Sequence, residues 1–246
     1  MTTTTFTDLI TDESQLRDVF GWPSERSLNK QIDRLDQHCR AIIAKSPFLL
    51  LGTSDTTGRC DVSPKGDYPG FVRVLDEKTI AIPDLPGNNR LDTLTNMLNN
   101  PQVGLLFMIP GMNETLRVNG TVRLVRDADL LESMAFQGKL PKLAIVVDIQ
   151  EVFSHCPKAF MRSKLWAVES QIDRSELPSF AEILRDHAAL GECDLDELQR
   201  ELDQRRVALD RLLAARVLER RPAEGEEPRR LHRLDPPPRR AVLAPV

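Results

Sequence analysis

Two stretches of this sequence bring cations, amides and glycines to the ends of short apolar runs. The first is Ser63-Pro-Lys-Gly-Asp-Tyr-Pro-Gly-Phe-Val-Arg-Val-Leu75 and the second is Ile82-Pro-Asp-Leu-Pro-Gly-Asn-Asn-Arg-Leu91. Backbone N–H groups and arginine forks both satisfy phosphate oxygens, so the chemistry on offer is capture of a phosphorylated ligand. Arg73, between Val72 and Val74, is either the outward residue of a half-buried strand or a guanidinium aimed at phosphate. Asn89 and Arg90 open a predicted helix. They supply an N-cap and a solvated cation, or else free N–H groups and a favourable dipole for an anion. One hairpin separates the two places, and each strengthens the other. Ser63 and Lys65 lie in a strand-end turn shaped by Pro64 and Gly66.

A second dense cluster is His155-Cys-Pro-Lys-Ala-Phe-Met-Arg-Ser-Lys-Leu-Trp166. Lys158 and Arg162 are four apart on one helical face. The sequence contains no H-x-x-x-H and no C-x-x-C, so no metal site is expected. Cys156 is a buried inert thiol or, beside a histidine and a helix start, a nucleophile of lowered pKa. Trp166 is a core residue or one wall of a pocket for a planar ring.

The elements that must position these residues follow from periodicity. Residues 8–45 read as helical, with capping chemistry at Asp12-Glu-Ser-Gln-Leu16 and with Ile32, Leu35, Cys39, Ile42 and Ile43 on one face. Pro47 stops this cap over one end of a barrel. Strands are predicted at Phe48–Leu51, Asp61–Ser63, Phe71–Leu75, Thr79–Ile82, Val103–Ile109, Thr115–Val118, Thr121–Val125 and Leu143–Phe153. Asp55–Gly58 and Asp76–Lys78 are hairpin turns. Asn119-Gly120 interrupts the alternation as a bulge or sharp bend would. A helix from Asn89 to Asn99 is inserted between strands, and smaller helices follow near 129–136 and 157–165. Short antiparallel strands around one inserted helix suggest a small closed or split barrel.

Beyond residue 175, Leu195, Leu198, Leu202, Leu209 and Leu212 recur at nearly heptad spacing in a solvent-lapped helix. Residues 220–246 hold six prolines and dense mixed charge, a composition expected to be disordered. The organisation is therefore an N-terminal helical cap (1–46), a barrel (47–170), a helical extension (171–219) and a Pro/Arg-rich tail (220–246).

Composition narrows the class. The 246 residues are 41% hydrophobic and 28% charged, as in globular domains. The net charge of -4 argues against a nucleic-acid surface. Cys39, Cys60, Cys156 and Cys193 are scattered, as reduced thiols are. The N-terminus lacks a signal-peptide pattern, and no apolar run approaches the ~20 residues of a membrane span. A cytoplasmic protein with no membrane partner is expected.

These pieces resemble the pyridoxamine 5'-phosphate oxidase-like superfamily, the FMN-binding split barrels, and within it a bacterial subfamily of FMN-dependent oxidase-type flavoproteins. The resemblance rests on Lys45–Phe48, Thr53–Asp55, Asp61–Asp67, Pro69–Leu75, Ile82–Asp84, Pro86–Asp92, Asn100-Pro101, Gly104–Phe107, Thr115–Gly120, His155–Lys158 and Arg162–Trp166, in that order. It implies a mainly β, α+β fold: a six-stranded split barrel with N-terminal helices, dimerised, with FMN in clefts at the subunit interface. It implies phosphate contacts from Arg73 and from Asn89 with Arg90, and places Val74, Ile82 and Pro83 along the flavin. Ser63 and Lys65 would lie near the isoalloxazine, where a lysine can stabilise negative charge on the reduced ring. Arg117 would approach from its strand, and His155, Lys158, Arg162 and Trp166 would complete the site, in the partner's cleft. The function implied is FMN-dependent oxidation or reduction of a small organic substrate, with NADH or NADPH or oxygen as redox partner. Leu231-His-Arg-Leu234 is a poor match to the arginine-rich motif of vitamin B6 oxidases, which argues against that activity. A flavin carrier, a flavin reductase, and a same-fold protein using haem or a deazaflavin are the alternatives.

Overall fold

A computed structural model describes residues 5–135, 139–191 and 194–219. Cys193 and the tail 220–246 lie outside the described residues. The chain divides into two compact units, residues 1–176 and 177–246.

The first unit is built on one antiparallel sheet of seven strands. These are β1 (Phe48–Ser54), β2 (Cys60–Gly66), β3 (Arg73–Val74), β4 (Thr79–Pro83), β5 (Gln102–Met108), β6 (Thr115–Val125) and β7 (Ala144–His155). Their order in the sheet is β2-β1-β5-β6-β7-β4-β3. Six strands have five residues or more and β3 has only two, so the expected six-stranded barrel is present with a short additional edge. The helix between β4 and β5, α4 (Asp92–Asn99), packs on β1, β2 and β6. The α+β split barrel read from the sequence is thus the observed architecture.

Alternation explains the core. Leu49 and Leu51 of β1, Leu105 and Phe107 of β5, and Leu116 and Val118 of β6 all face inward, as period two requires. Ile80 and Ile82 of β4 and Ile145 and Val147 of β7 join them. Ala81, Ala144 and Val146 point the other way and are covered by Leu131 of α5 (Ala128–Ser133) and by Met134. Strands β4 and β7 are therefore buried on both faces here, which is why they read as unbroken apolar runs.

One expectation for the backbone is corrected and a second is resolved. Residues 8–45 do not form one helical stretch. They form α1 (Glu13–Phe20), α2 (Glu25–Asn29) and α3 (Gln37–Lys45). Gly21, at φ 68°, ends α1, and Pro23 follows it. Ile32 lies off any helix and bridges Val152, and the Leu35 N–H donates to the Glu77 carbonyl at 2.7 Å. Only α3 puts apolar residues, Cys39 and Ile43, into the barrel core. Second, Thr115–Val118 and Thr121–Val125 belong to one eleven-residue strand with a register shift at Asn119/Gly120. The interruption is the bulge that the alternation allowed, inside one strand.

The second unit contains α7 (Phe180–His187), which opens on a capping box between Ser179 and Glu182, and α8 (Leu195–Glu219), which packs on α7. Of the nearly heptad leucines, Leu195, Leu198 and Leu202 are half-buried on α8.

Candidate functional site

A cleft of about 390 Å³ lies between β2, the loop Asp84–Leu91 and the first turn of α4. No residue of β2 is buried, but Asp61, Ser63 and Lys65 alternate onto the half-buried face that borders the cleft. Lys65 has no hydrogen-bond or ion-pair partner among the described residues. A half-buried cation without an ion-pair partner can receive an anion, here on a lining it shares with Asp61, Asp84 and Asp92.

The opposite wall is shaped by unusual backbone. Asn89 and Leu91 are left-handed, at φ 57° and 63°. Asparagine tolerates this region, whereas leucine does so only when its surroundings impose it. The Asn88 side chain accepts a hydrogen bond from the Arg90 N–H at 3.1 Å. Leu91 occupies the N-cap position of α4, and no side chain caps the helix. The sequence expectation that Asn89 and Arg90 open the helix is corrected here: both precede it, and the helix starts at Asp92. Its first N–H groups lack a side-chain acceptor, and the residues that carry them, Asp92, Thr93 and Leu94, line the cleft, an arrangement that favours an anion. The Arg90 Nε is 2.8 Å from an Asp92 carboxylate oxygen and the side chain is largely exposed.

Three side-chain contacts fix α4 against the sheet and so fix the cleft. Thr93 Oγ1 donates to Asp61 Oδ2 at 2.5 Å, Asn96 Nδ2 donates to Thr53 Oγ1 at 3.1 Å, and Asn100 Nδ2 donates to Ser54 Oγ at 2.9 Å. Asp61 and Thr93 were not singled out from sequence. The signal was their position: Asp61 shares the period-two face of Ser63 and Lys65. Thr93→Val keeps the shape and removes the donor to a half-buried carboxylate. It is expected to cost about 1.5 kcal/mol, read as a lower urea midpoint with unchanged slope.

A second polar group lies on β6 and β7. Arg117 pairs across the strands with Phe153, and Asn119 with Glu151. The Arg117 guanidinium lies 4.9 Å from the Phe153 ring centre and 3.3 Å from Glu151 Oε1, which Asn119 Nδ2 also contacts. Lys30 Nζ approaches the same ring at 5.1 Å and donates to the Ser154 carbonyl at 3.0 Å. The His155 ring lies 4.8 Å from that of Phe153. Burial holds the His155 pKa below the ordinary imidazole value, and the positive charges of Arg117 and Lys30 lower it further. Glu151 and Phe153 were legible as residues four and two before His155 on one strand face. Lys30, 125 residues from His155, carried no such signal.

The remaining predicted site residues lie elsewhere in the chain. Arg73 is exposed on β3, does not line the cleft, and donates from Nη2 to the Ser133 carbonyl at 2.9 Å. Val74 is half-buried against the core and Ile82 is wholly inside it. β3 begins at Arg73, opposite Ala81, so among the described residues no strand flanks Ile82 and Pro83 on that edge of β4. Lys158 and Arg162 are exposed on α6 (Lys158–Ser163). Trp166 Nε1 donates to the Met112 carbonyl at 2.9 Å and its ring stacks on Phe160 at 5.7 Å. Within one chain, then, Ser63, Lys65, Asn89 and Arg90 meet at the cleft, Arg117 and His155 meet on the sheet, and the others join neither group.

Among the described residues, no cluster of three His, Cys, Asp or Glu side chains is placed to hold a metal ion. No helix among them is long and apolar enough to cross a membrane.

Comparison with solved structures finds partial overlaps. A pyridoxamine 5'-phosphate oxidase homologue from Lactobacillus delbrueckii is 20% identical over 50% of this chain and 95% of its own, with a TM-score of 0.41. HupZ from Group A Streptococcus is 18% identical over 49% and 93%, with a TM-score of 0.40. An FAD-binding protein from Mycobacterium smegmatis is 18% identical over 50% and 97%, with a TM-score of 0.36. Overlaps this loose carry no weight on function. No curated protein matches the chain. The sequence of residues 35–156, from just ahead of α3 to just past the end of β7, matches the family described as pyridoxamine 5'-phosphate oxidase, and this split-barrel region of the chain belongs to the pyridoxamine 5'-phosphate oxidase-like superfamily.

Proposed function

We propose that the protein is an FMN-dependent oxidoreductase acting on a small planar organic substrate, with a reduced nicotinamide or oxygen as the other redox partner. The observation that carries this reading is the unpartnered Lys65 facing an uncapped helix start across a cleft bordered by Arg90. Lys65 and the free N–H groups converge there, although Asp61, Asp84 and Asp92 share the lining and Asp92 pairs with Arg90. The donor set suits a phosphate oxygen at the Asn89–Arg90 side and an electron-rich ring edge at the Ser63–Lys65 side. Bound FMN would carry the electrons, and the protein would supply orientation and charge.

The residues' own tasks follow from their chemistry. Arg90 would leave or share Asp92 to meet the phosphate, and the α4 N–H groups would add hydrogen bonds. Lys65 would hold negative charge at the ring. Arg73 lies outside this cleft within one chain; it would meet a phosphate at the dimer boundary, exchanging the neutral Ser133 carbonyl for a charged oxygen, the stronger acceptor. The cleft volume is at the low end of small-molecule sites, ~300–1,000 Å³, and the cleft is open. A second copy closing it, with Arg117, His155, Lys158, Arg162 and Trp166 at the shared boundary, makes a homodimer the working assembly. Vitamin B6 oxidation is not proposed.

The purified protein is expected to be yellow, with an oxidised-flavin spectrum, and to release FMN on denaturation. Steady-state oxidation of NADH or NADPH then separates an enzyme from a carrier. A colourless protein that fails to quench added FMN fluorescence would remove the reading. A haem or deazaflavin spectrum would replace the cofactor.

A further inference from the structure

The N-terminal arm, residues 5–29, is folded locally but buries none of its side chains. From Thr5 to Gln31 no described residue is buried, and only Arg17 is even half-buried. Eight large apolar side chains are exposed along it: Phe6, Leu9, Ile10, Leu16, Val19, Phe20, Trp22 and Leu28, from 43% for Leu16 to 78% for Trp22. Together they present on the order of 800 Å² of apolar surface, about what one partner contributes to a standard interface.

The arm's helices are nevertheless specified. Asp12 caps α1 by accepting from the Gln15 N–H at 3.0 Å, and Gln15 Oε1 accepts from the Thr11 N–H at 2.8 Å. Ser24 caps α2. Helices of eight and five residues are marginal in water without tertiary burial. Capping without a core implies that the apolar face is covered by something other than its own barrel.

Charge identifies the cover. The arm carries Asp8, Asp12, Glu13, Asp18 and Glu25 against Arg17 and Arg26, five acids to two bases. Asp8, Asp18 and Glu25 have no ion-pair partner among the described residues. Residues 155–166 carry Lys158, Arg162 and Lys164 and no acid. Lys158 and Arg162 are also unpaired among the described residues, and Lys164 has only Glu169 at 3.9 Å. This basic segment exposes its own apolar residues, Met161 and Leu165, with Val168 and Ile172 beyond them. One surface is acidic and apolar, the other basic and apolar, and within one chain neither neutralises the other.

We propose that the N-terminal arm, residues 5–29, docks on α6 and the following segment (158–172) of a second copy of this chain. The exchange is reciprocal across a two-fold axis, so both apolar faces and both charge sets are matched twice. It does not depend on which cofactor the cleft takes. The acidic arm does not suit an anionic membrane surface, which would repel it.

The test is photocross-linking of the full chain carrying Trp22→p-benzoylphenylalanine. The expected product is a covalent dimer on a denaturing gel, with the link mapped by mass spectrometry to residues 158–172. Asp18→Lys alone and Lys164→Glu alone should each cut the dimer yield roughly threefold or more, and the two together should restore most of it. Links confined to one chain, links mapped outside 158–172, a monomeric protein, or single variants with undiminished yield would each overturn the proposal. Flavin absorbance of the same samples is a separate readout, so loss of the cofactor reading and loss of the arm contact are distinguishable.

Discussion

Arg90→Glu is expected to weaken FMN binding by more than ~100-fold while changing riboflavin affinity by less than ~3-fold, since like charges brought together cost several kcal/mol. The side chain is exposed and, among the described residues, bonds only to Asp92, so the barrel does not depend on it. Riboflavin lacks the phosphate, and the comparison therefore isolates the contact from any loss of folding. Arg73→Ala should show the same selectivity at a comparable size, ~2–4 kcal/mol, with Arg73→Lys recovering part of it because a point charge cannot reproduce the fork. Lys65→Ala should behave differently. If Lys65 faces the ring, FMN and riboflavin affinities fall together, and the reduced flavin suffers more than the oxidised one. Fluorescence titration with both ligands reads all of these outcomes. Equal loss of FMN and riboflavin in Arg90→Glu would move the phosphate away from the start of α4.

The strand framework was legible because its signals are local. Leu49 and Leu51, or Leu116 and Val118, announce their face by alternation alone, and Asp55–Gly58 announces its turn by residue type. The inserted helix was legible in kind but not in its start. Leu91 in a left-handed N-cap position breaks the usual preference for small polar caps, and that departure is part of what leaves the helix start open to a ligand. The kinks that split residues 8–45 were hidden because Ile32 and Leu35 continue a helical spacing into Cys39, although Ile32 is held by a bridge to Val152 some 120 residues away. The site was legible as two anion-prone loops. That Lys65 shares a cleft with Arg90 while Arg73 rests on Ser133 depends on how β2, β3 and α4 pack, which no local pattern encodes.

Gly120 carries the largest expected effect on stability. The residue sits at the register shift between β6 and β7, where the two backbones approach closely. A Cβ built there would overlap the Asp148 carbonyl oxygen and would lie 3.0 Å from its carbon and 3.2 Å from Ile149 Cα. These are backbone atoms in a strand that the core holds on both sides, so they cannot turn aside as a flexible side chain would. Gly120→Ala should therefore cost about 3 kcal/mol, lowering the Tm by roughly 6–12 °C. Gly52→Ala is the matched control. It too adds a methyl group to a central strand, but its Cβ would meet only the Gly104 carbonyl oxygen at 3.6 Å, an ordinary contact. Its cost should stay within ~1 kcal/mol. If the two substitutions shift the thermal midpoint equally, the penalty is a general one for glycine in strands and the close approach at the bulge is not what fixes the register. If only Gly120→Ala is costly, the bulge is what lets one eleven-residue strand pair with β5 on one side and β7 on the other, and so carries Arg117 opposite Phe153 and beside His155.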